Sequence, residues 1–299
     1  MSKPTILHML TPAENLSPFD VNMAVDAGWQ HCFSYTGISE GDVTALTQDA
    51  IFSRGPSGVK RTGLFLGGRD IHAAMNMLDA ARKAMVPPFE VSVFADPSGA
   101  FTTAAAMIAC AEKHYRKLTD DSLSGKTAVV FGGTGPVGMT AAMMAQQSGA
   151  NALIVSHEGL DKAQRIADEC NERYAVSIKG ADGSSDSKIE ALLNEADLAF
   201  NAAKAGVQVL KKEHLAAAHR VKVLCDVNAV PPEGIAGVGV MDDGSEVPGM
   251  SNGAVGIGAL AVGNVKYQTQ RALLVQMIET DKPVYLDFLA ALETARAQA

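Results

Sequence analysis

The chain has 299 residues, of which 47% are hydrophobic and 19% are charged, and its formal net charge at pH 7 is −8. This length accommodates two domains of ordinary size, and the composition is typical of a folded globular protein. The acidic balance, with no cluster rich in Lys or Arg, argues against nucleic acid or an anionic membrane as the main partner.

In the first half of the chain, short apolar strands alternate with helical patterns. The predicted strands are Thr5–Leu10, His31–Tyr35, Thr62–Gly67 and Val91–Ala95. The predicted helices run from Pro18 to Ala27, from Ser39 to Phe52, from Ile71 to Arg82, and from the loop 96–99 to Leu118. Ser17 is expected to cap the first helix, and Ser39-x-x-Asp42 resembles a capping box at the second.

The alternation resumes after a polar segment, Thr119–Lys126, which we interpret as a domain boundary. The predicted strands of the second half are Thr127–Phe131, Ala152–Ser156, Val176–Lys179, Asp197–Asn201 and Val221–Val227. One predicted helix follows the first of these strands and ends near Ser148, and others cover Leu160–Cys170 and Ile189–Ala196. A short helix is predicted between the last two strands, and a final helix covers Ala259–Ile278.

Strands that alternate with helices form parallel sheets with helices on both faces. The sequence therefore predicts an α/β fold of two domains, of which the second is a doubly wound parallel sheet. We predict a first domain over residues 1–118, completed by a C-terminal helix over 267–299, and a second domain over 119–266.

Cysteine usage indicates a reducing compartment. Cys32, Cys110, Cys170 and Cys225 are far apart and form no Cys-x-x-Cys pair, so we expect reduced thiols, no metal site and a cytoplasmic protein. The first residues carry too short an apolar run for a signal peptide, and no apolar stretch has the length of a membrane span.

A glycine-rich turn stands between the predicted strand Thr127–Phe131 and the helix that follows. It comprises Gly133, Thr134, Gly135, Pro136, Val137 and Gly138. In a dinucleotide site, Gly133 would make the tight turn, Gly135 would let a diphosphate approach the backbone, and Gly138 would let the helix pack on the strand. The N–H groups at the helix start suit the diphosphate. A tight connection without a ligand is the alternative.

In dinucleotide-binding folds, the residues at the end of the strand after the glycine turn, here Ala152–Ser156, select between NAD and NADP. Glu158 lies about 20 residues beyond the glycine turn, where an acidic residue can hold the ribose hydroxyls of NAD. Ser156, His157 and Lys162 could instead surround the 2′-phosphate of NADP. The pattern is compatible with both cofactors, and a solvated loop is the third interpretation.

A second glycine motif does not indicate a hydrolase. The segment 249–253 fits G-x-S-x-G, but such an enzyme needs a histidine after its serine in the chain. The last histidine is His219, which precedes Ser251.

The whole chain resembles the bacterial NAD(P)-dependent methylene-tetrahydromethanopterin dehydrogenases. The resemblance extends over nearly the full length and rests on the motifs Ser17–Asp20, Gly67–Asp70, Pro88-Phe89, Thr102–Ala106, Gly133–Met139, Leu160–Ala163, Asn228–Pro232 and Gly253–Leu260. It implies an N-terminal pterin-binding α/β domain, a Rossmann domain, a cleft between them, and a homo-oligomer, either a trimer or a hexamer. Asn228 is implied to lie with the cofactor.

The activity implied by this resemblance is hydride transfer from methylene-tetrahydromethanopterin to NAD or NADP, giving the methenyl carrier during formaldehyde oxidation. The strictly NADP-dependent members carry Gly-Arg-Lys where this chain has Ser156-His157-Glu158. Loss of that arginine removes a fixed guanidinium fork for the 2′-phosphate, so the chain is more similar to the subgroup that uses both cofactors.

The resemblance also implies four residues at the substrate. Asp20 would stabilise charge or anchor the pterin ring, with a helix-capping carboxylate as the alternative. Lys266 would hydrogen-bond the pterin or be a surface lysine. Thr102 and Thr103 would contact the pterin or nicotinamide, or cap an alanine-rich helix.

Two rival functions stay open at this point. A methylene-tetrahydrofolate dehydrogenase would act on the same reacting ring. A non-catalytic NAD(P)-sensing module would need a DNA- or protein-binding unit, but the first half has neither a helix-turn-helix pattern nor a basic face.

Overall fold

The computed structural model describes residues 3–299, which form two units. The first unit combines the chain up to Thr102 with Tyr267–Gln298, and the second comprises Thr103–Lys266. The second unit is therefore inserted, in sequence, into the first.

Strands and helices are numbered here in chain order. The strands are β1 (Ile6–Thr11), β2 (His31–Thr36), β3 (Thr62–Leu66), β4 (Ser92–Ala95), β5 (Thr127–Phe131), β6 (Asn151–Ser156), β7 (Lys179–Asp182), β8 (Leu198–Asn201), β9 (Val223–Asp226), β10 (Asp243–Glu246), β11 (Val255–Ile257) and β12 (Tyr285–Leu286). The helices are α1 (Pro18–Asp26), α2 (Asp42–Phe52), α3 (Pro56–Val59), α4 (Ile71–Lys83), α5 (Ala100–Thr119), α6 (Pro136–Gln147), α7 (Leu160–Tyr174), α8 (Asp186–Glu195), α9 (Lys212–Leu215), α10 (Ala259–Glu279) and α11 (Phe288–Arg296).

The first unit contains a parallel sheet with the order β2-β1-β3-β4-β12. Its central strands β3 and β4 are buried along their whole length, whereas the edge strand β2 is mostly exposed. Strand β2 pairs with one side of β1, and the next strand in the chain, β3, pairs with the other side. This reversal of direction creates a crevice at the carboxyl ends of β1 and β3, where ligands bind in open parallel sheets.

Helix α10 is anchored to the first unit by Trp29, which is 1% exposed. The indole Nε1 of Trp29 donates to the carbonyl oxygen of Leu274 at 3.2 Å. Gly63 on β3 makes this packing possible, because a Cβ there would lie 2.7 Å from Cη2 of Trp29 and 2.9 Å from Cε of Met277. The axial position of α10 is thereby fixed against the first sheet.

The second unit contains a sheet with the order β7-β6-β5-β8-β9-β11-β10. Its neighbouring strands are parallel, except that β10 is antiparallel to β11. The first strand, β5, pairs with β6 on one side and β8 on the other, so this sheet also has a reversal point, next to the glycine turn. The predicted α/β class and the doubly wound second sheet are confirmed.

Most predicted strands and helices agree with the structure within two residues at each end, but the strand predicted at Val176–Lys179 is wrong. The strand β7 begins only at Lys179, because Asn171 of α7 holds the preceding segment as a loop. The Asn171 side chain accepts from the N–H of Ile178 and donates to its carbonyl oxygen, both at 2.8 Å. Val176 and Ile178 are buried, so their apolar character reflects core packing and not strand pairing.

The helix predicted over 267–299 is interrupted. Helix α10 ends at Glu279, Pro283 follows and cannot donate a backbone hydrogen bond, and the chain then adds β12 to the first sheet beside β4. Strands β10, β11 and β12 and helix α3 were not predicted, and α11 lies within the range that was predicted as one continuous helix. The polar sequence of β10 and the two-residue length of β12 give no strand signal.

Two helix starts can be compared with the predicted caps. Ser17 caps α1 as expected, since its Oγ accepts from the N–H of Phe19 at 3.2 Å. At α2 the helix begins at Asp42, and the Asp42 carboxylate accepts from both the N–H and the hydroxyl of Ser39. The carboxylate thus ties the approaching loop to the helix, as in one half of a capping box.

Candidate functional site

The glycine turn that follows β5 has backbone geometry that other residues could not adopt. Gly132 has a φ of 68°, in the left-handed region, and a Cβ there would collide with the backbone of Ala203. The sequence interpretation assigned the tight turn to Gly133, but the left-handed residue is Gly132, one position earlier. The turn after β5 therefore lies directly against the loop after β8.

The other glycines of the turn differ in their surroundings: two are closely packed, and one borders open space. A Cβ on Gly133 would lie 2.7 Å from Cγ2 of Ile154, and one on Gly138 would collide with the carbonyl oxygen of Gly132. In contrast, a Cβ on Gly135 would meet only the carbonyl oxygen of Gly132, at 3.5 Å. Gly135 is not needed for packing, and its missing side chain leaves room above the backbone for a ligand.

Helix α6 begins at this open position. Gly135 is the residue before the helix, no side chain caps it, and Pro136 occupies the first helical position. The N–H groups of Val137 and Gly138 belong to the first turn, which has no intrahelical acceptors for them. Together with the helix dipole they make this position, at the reversal point of the sheet, suitable for an anion. Thr134 completes the turn, which fits the diphosphate of a dinucleotide.

The carboxyl end of β6 carries the residues predicted to select the cofactor. Ser156 is 1% exposed, and its Oγ accepts from the N–H of Glu158 at 3.1 Å. Lys162 forms an ion pair with Glu158 along one helical turn, and this hydrogen bond lowers the pKa of Glu158. His157 is largely exposed. The lysine charge at this position is therefore balanced by a carboxylate.

A buried polar network joins the loops after β8 and β9. Asp226 accepts from Nδ2 of Asn201 at 2.8 Å and from the N–H groups of Gly234 and Ile235 at 2.7 and 3.0 Å. The N–H of Asn228 donates to the same carboxylate at 3.0 Å. These bonds fix the loops that follow β8 and β9 at the carboxyl edge of the second sheet.

Asn228, predicted to lie with the cofactor, has its side chain engaged within this loop. Its Oδ1 accepts from the N–H groups of Gly206 and Val230, and its Nδ2 donates to the carbonyl oxygen of Pro232. The amide side chain thus shapes the loop, and contact with the cofactor stays a prediction. Asn201 and Asp226 were missed by the sequence analysis, although each is a polar residue at the end of a buried strand.

In the first unit, a pocket of about 370 Å³ lies at the carboxyl ends of β1 and β3. Its lining includes Thr11, Asn15, Ser17, Asp20, Arg69 and Ser98. Ser98 has a φ of 51° and its hydroxyl donates to the carbonyl oxygen of Gly68 at 2.7 Å, which holds two lining loops together. The pocket combines a carboxylate, a guanidinium and neutral polar groups at the reversal point of the first sheet.

Asp20 is placed differently from an ordinary first-turn acidic residue. It is 3% exposed and shares the buried face of α1 with Met23 and Ala24. Its Oδ1 accepts from Nε2 of Gln270 on α10 at 2.8 Å. Burial of a carboxylate is costly unless partners are provided, so a surface-capping role does not account for this placement.

The remaining predicted substrate residues lie on the two long helices. Thr102 is completely buried, and its hydroxyl donates to Oδ2 of Asp96 at 2.6 Å while its N–H donates to Oδ1. Thr103 is half-buried one position further along α5. Lys266 is half-buried on α10, one turn before Gln270. Their contacts with a substrate stay predictions.

The thiols do not offer a reactive nucleophile. Burial raises the pKa of Cys110 to about 12 and that of Cys170 to about 11, and it also raises the pKa values of Cys225 and Cys32 above their usual range. Within residues 3–299, no group of three His, Cys, Asp or Glu side chains is arranged to hold a metal ion. In the same range, no helix has the length and apolarity needed to cross a bilayer.

Comparison with known proteins gives a consistent result along the whole chain. The family described as methylene-tetrahydromethanopterin dehydrogenase, N-terminal, matches residues 18–98. An NAD(P)-dependent methylenetetrahydromethanopterin dehydrogenase of Methylorubrum extorquens is 45% identical over 291 residues, which are 97% of each chain. The bifunctional protein MdtA of the same organism is 33% identical and covers 95% of this chain and 96% of its own.

Among solved structures, similarity is found to shikimate 5-dehydrogenase from Listeria monocytogenes in complex with shikimate and NAD. Its TM-score is 0.50 at 12% identity, with 91% of this chain and 92% of that chain covered. Ornithine carbamoyltransferase from Pyrococcus furiosus has the same TM-score at 10% identity, covering 93% of this chain and 85% of its own. At these identities the likeness shows the fold alone.

The glycine geometry generates a paired prediction. Gly135→Val should leave the melting temperature nearly unchanged, because the new side chain enters open space, and should weaken NAD(P) binding by about tenfold or more, because it occupies the space of the diphosphate. Gly138→Ala should lower stability by about 1–3 kcal/mol through collision with Gly132. Calorimetric titration and thermal unfolding of both variants test this, and unchanged affinity in folded Gly135→Val would contradict it.

Proposed function

The chain belongs to the family of methylene-tetrahydromethanopterin dehydrogenases, and we propose that it transfers a hydride from methylene-tetrahydromethanopterin to NAD(P)+. The product is methenyl-tetrahydromethanopterin, and the reaction belongs to one-carbon metabolism, in the oxidation of formaldehyde. The observation that carries the proposal is the 45% identity, over 97% of the chain, to the Methylorubrum extorquens enzyme. The glycine turn supports it, because its open position, Gly135, directly precedes helix α6.

Hydride transfer requires two things of the protein, which are orientation of the reactants and stabilisation of charge. NAD(P)+ supplies a hydride acceptor at C4 of its nicotinamide ring. No proton moves in the hydride step, so an acid/base pair is not required. The chain has to bind two rings in a defined orientation and to stabilise the positive charge that spreads over the N–C–N bridge of the carrier. The glycine turn and the Asn201–Asp226 network serve the first task on the cofactor side.

Asp20 is our candidate for the second task. Three features support it: the carboxylate is buried, it lines the pocket at the reversal point of the first sheet, and it is hydrogen-bonded by Gln270. A carboxylate near the bridge interacts more strongly with the developing cation than with the neutral substrate, which is the condition for raising kcat. Thr103 and Lys266 are proposed as further contacts to the pterin.

Use of both NAD and NADP is supported by the residues at the end of β6. No arginine offers a fixed fork to a 2′-phosphate there, and the charge of Lys162 is balanced by Glu158. Glu158 can accept from the ribose hydroxyls of NAD, and release of Lys162 from Glu158 would provide a cation for NADP.

We also propose a homo-oligomer, a trimer or hexamer, located in the cytoplasm. The family relationship supports the first point, and the four widely spaced thiols support a reducing compartment. Sedimentation analysis of the purified protein measures the subunit number directly.

The function itself is tested by a two-by-two assay. Purified protein is mixed with methylene-tetrahydromethanopterin or methylene-tetrahydrofolate, each with NAD+ or NADP+, while the absorbance of the reduced nicotinamide is followed. We expect turnover with the methanopterin carrier and with both cofactors. Turnover only with the folate carrier would establish the rival dehydrogenase, and cofactor binding without any turnover would favour a sensing module.

Replacing His157 with Arg should shift cofactor preference toward NADP. A charge-assisted hydrogen bond to the 2′-phosphate is worth about 1.5–3 kcal/mol, so the NADP/NAD ratio of kcat/KM should rise about tenfold or more. His157→Gln, which adds no charge, is the matched control and should leave the ratio near that of the wild type. A flat ratio in the arginine variant would show that the ribose lies elsewhere.

Asp20→Asn should lower kcat by about 100-fold, because losing one well-placed electrostatic partner costs about 2.7–4 kcal/mol in other enzymes. Cofactor affinity should stay nearly unchanged, since the glycine turn belongs to the other unit. Steady-state kinetics and the melting temperature are measured on the same sample. A wild-type kcat with a slightly lowered melting temperature would show that Asp20 has a structural role only.

A further inference from the structure

Gln270 is a completely buried polar residue of helix α10. It lies on the face of α10 that packs into the first unit, between buried Thr269 and the buried pair Leu273 and Leu274. Its Nε2 donates to Oδ1 of Asp20 at 2.8 Å across 250 residues of sequence. We propose that Gln270 is a positioning residue for hydride transfer, fixing the Asp20 carboxylate toward the reacting bridge of the pterin; this inference rests on the function proposed above.

The chemistry of the amide suits this task. A buried carboxylate needs hydrogen-bond donors, and a lysine or arginine would supply one together with a positive charge. The Gln270 amide satisfies Oδ1 without adding a charge of its own. The carboxylate is thereby oriented while its attraction for the cationic product is not opposed by this partner.

The position of the amide is itself fixed. One turn beyond Gln270, the carbonyl oxygen of Leu274 accepts from the indole of Trp29 at 3.2 Å. Gly63 clears the space in which Trp29 and Met277 pack against β3. Asp20 is fixed from the other side by α1, whose N terminus is capped by Ser17. Two separately anchored helices thus define the direction of one carboxylate.

The consequence for catalysis should appear in kcat. Positioning of a charge matters most where charge develops, and a displacement of about 1 Å can cost about 100-fold. Gln270→Met keeps the length and volume of the side chain but removes the donor. We expect a fall in kcat of about tenfold or more, with the KM values for carrier and cofactor within about twofold of the wild type.

A double-mutant cycle distinguishes positioning from general packing. If Gln270 acts through Asp20, then Gln270→Met should have no further effect on kcat in the Asp20→Asn background. Gln268→Met, the same change on the exposed side of α10, is the matched control and should retain wild-type kinetics. Gln270→Asn, which keeps the amide but shortens its reach, should give an intermediate kcat and serves if the methionine variant folds poorly.

Two results would overturn the inference. One is a wild-type kcat in folded Gln270→Met or, where that variant does not fold, in Gln270→Asn. The other is an equal proportional loss of kcat in the wild-type and Asp20→Asn backgrounds, since the glutamine would then act independently of the carboxylate. A wild-type rate in Asp20→Asn would overturn the catalytic role of Asp20 and, with it, the positioning role of Gln270. The proposed activity is tested separately, by oxidation of the methylene carrier with the wild-type protein.

Discussion

Parallel strands all end at the same edge of their sheet, and wherever the strand order reverses, the connecting loops diverge and leave a crevice. This constraint acts twice in the chain, at β1 in the first unit and at β5 in the second. The residues with unusual chemistry or geometry follow these two strands: the Asp20 pocket after β1, and the glycine turn after β5. The two sheets therefore place their candidate ligand sites by the same topological means, and the function proposed above assigns one site to each reactant.

Three buried carboxylates lie at or beyond the carboxyl ends of strands: Asp20 in α1 after β1, Asp96 after β4, and Asp226 at the end of β9. Asp96 after β4 accepts from the N–H groups of Phe101 and Thr102 at the start of α5, and Asp226 at the end of β9 accepts from loop N–H groups. Both hold nearby backbone in place. Asp20 differs from both in that it lines a pocket of about 370 Å³ and accepts from Gln270, which lies 250 residues further along the chain.

Local patterns in the sequence were sufficient for the fold class, the glycine turn and most strands and helices. They failed where a contact distant in sequence overrides local preference, as when Asn171 holds the apolar residues before β7 as a loop. They could not assign a partner to Asp20, because no periodicity connects residues separated by 250 positions. The left-handed position of Gly132 was also missed, since adjacent glycines are indistinguishable until the Ala203 loop is seen beside one of them.

The chain order of the two units has a consequence for biosynthesis. A ribosome releases residues 103–266 before it releases α11 and the strand β12, which completes the edge of the first sheet beside β4. During synthesis the second unit has its whole sequence available while the first unit still lacks β12. Because domains generally fold as units during translation, we expect the inserted second unit to fold before the first unit can complete its sheet with β12.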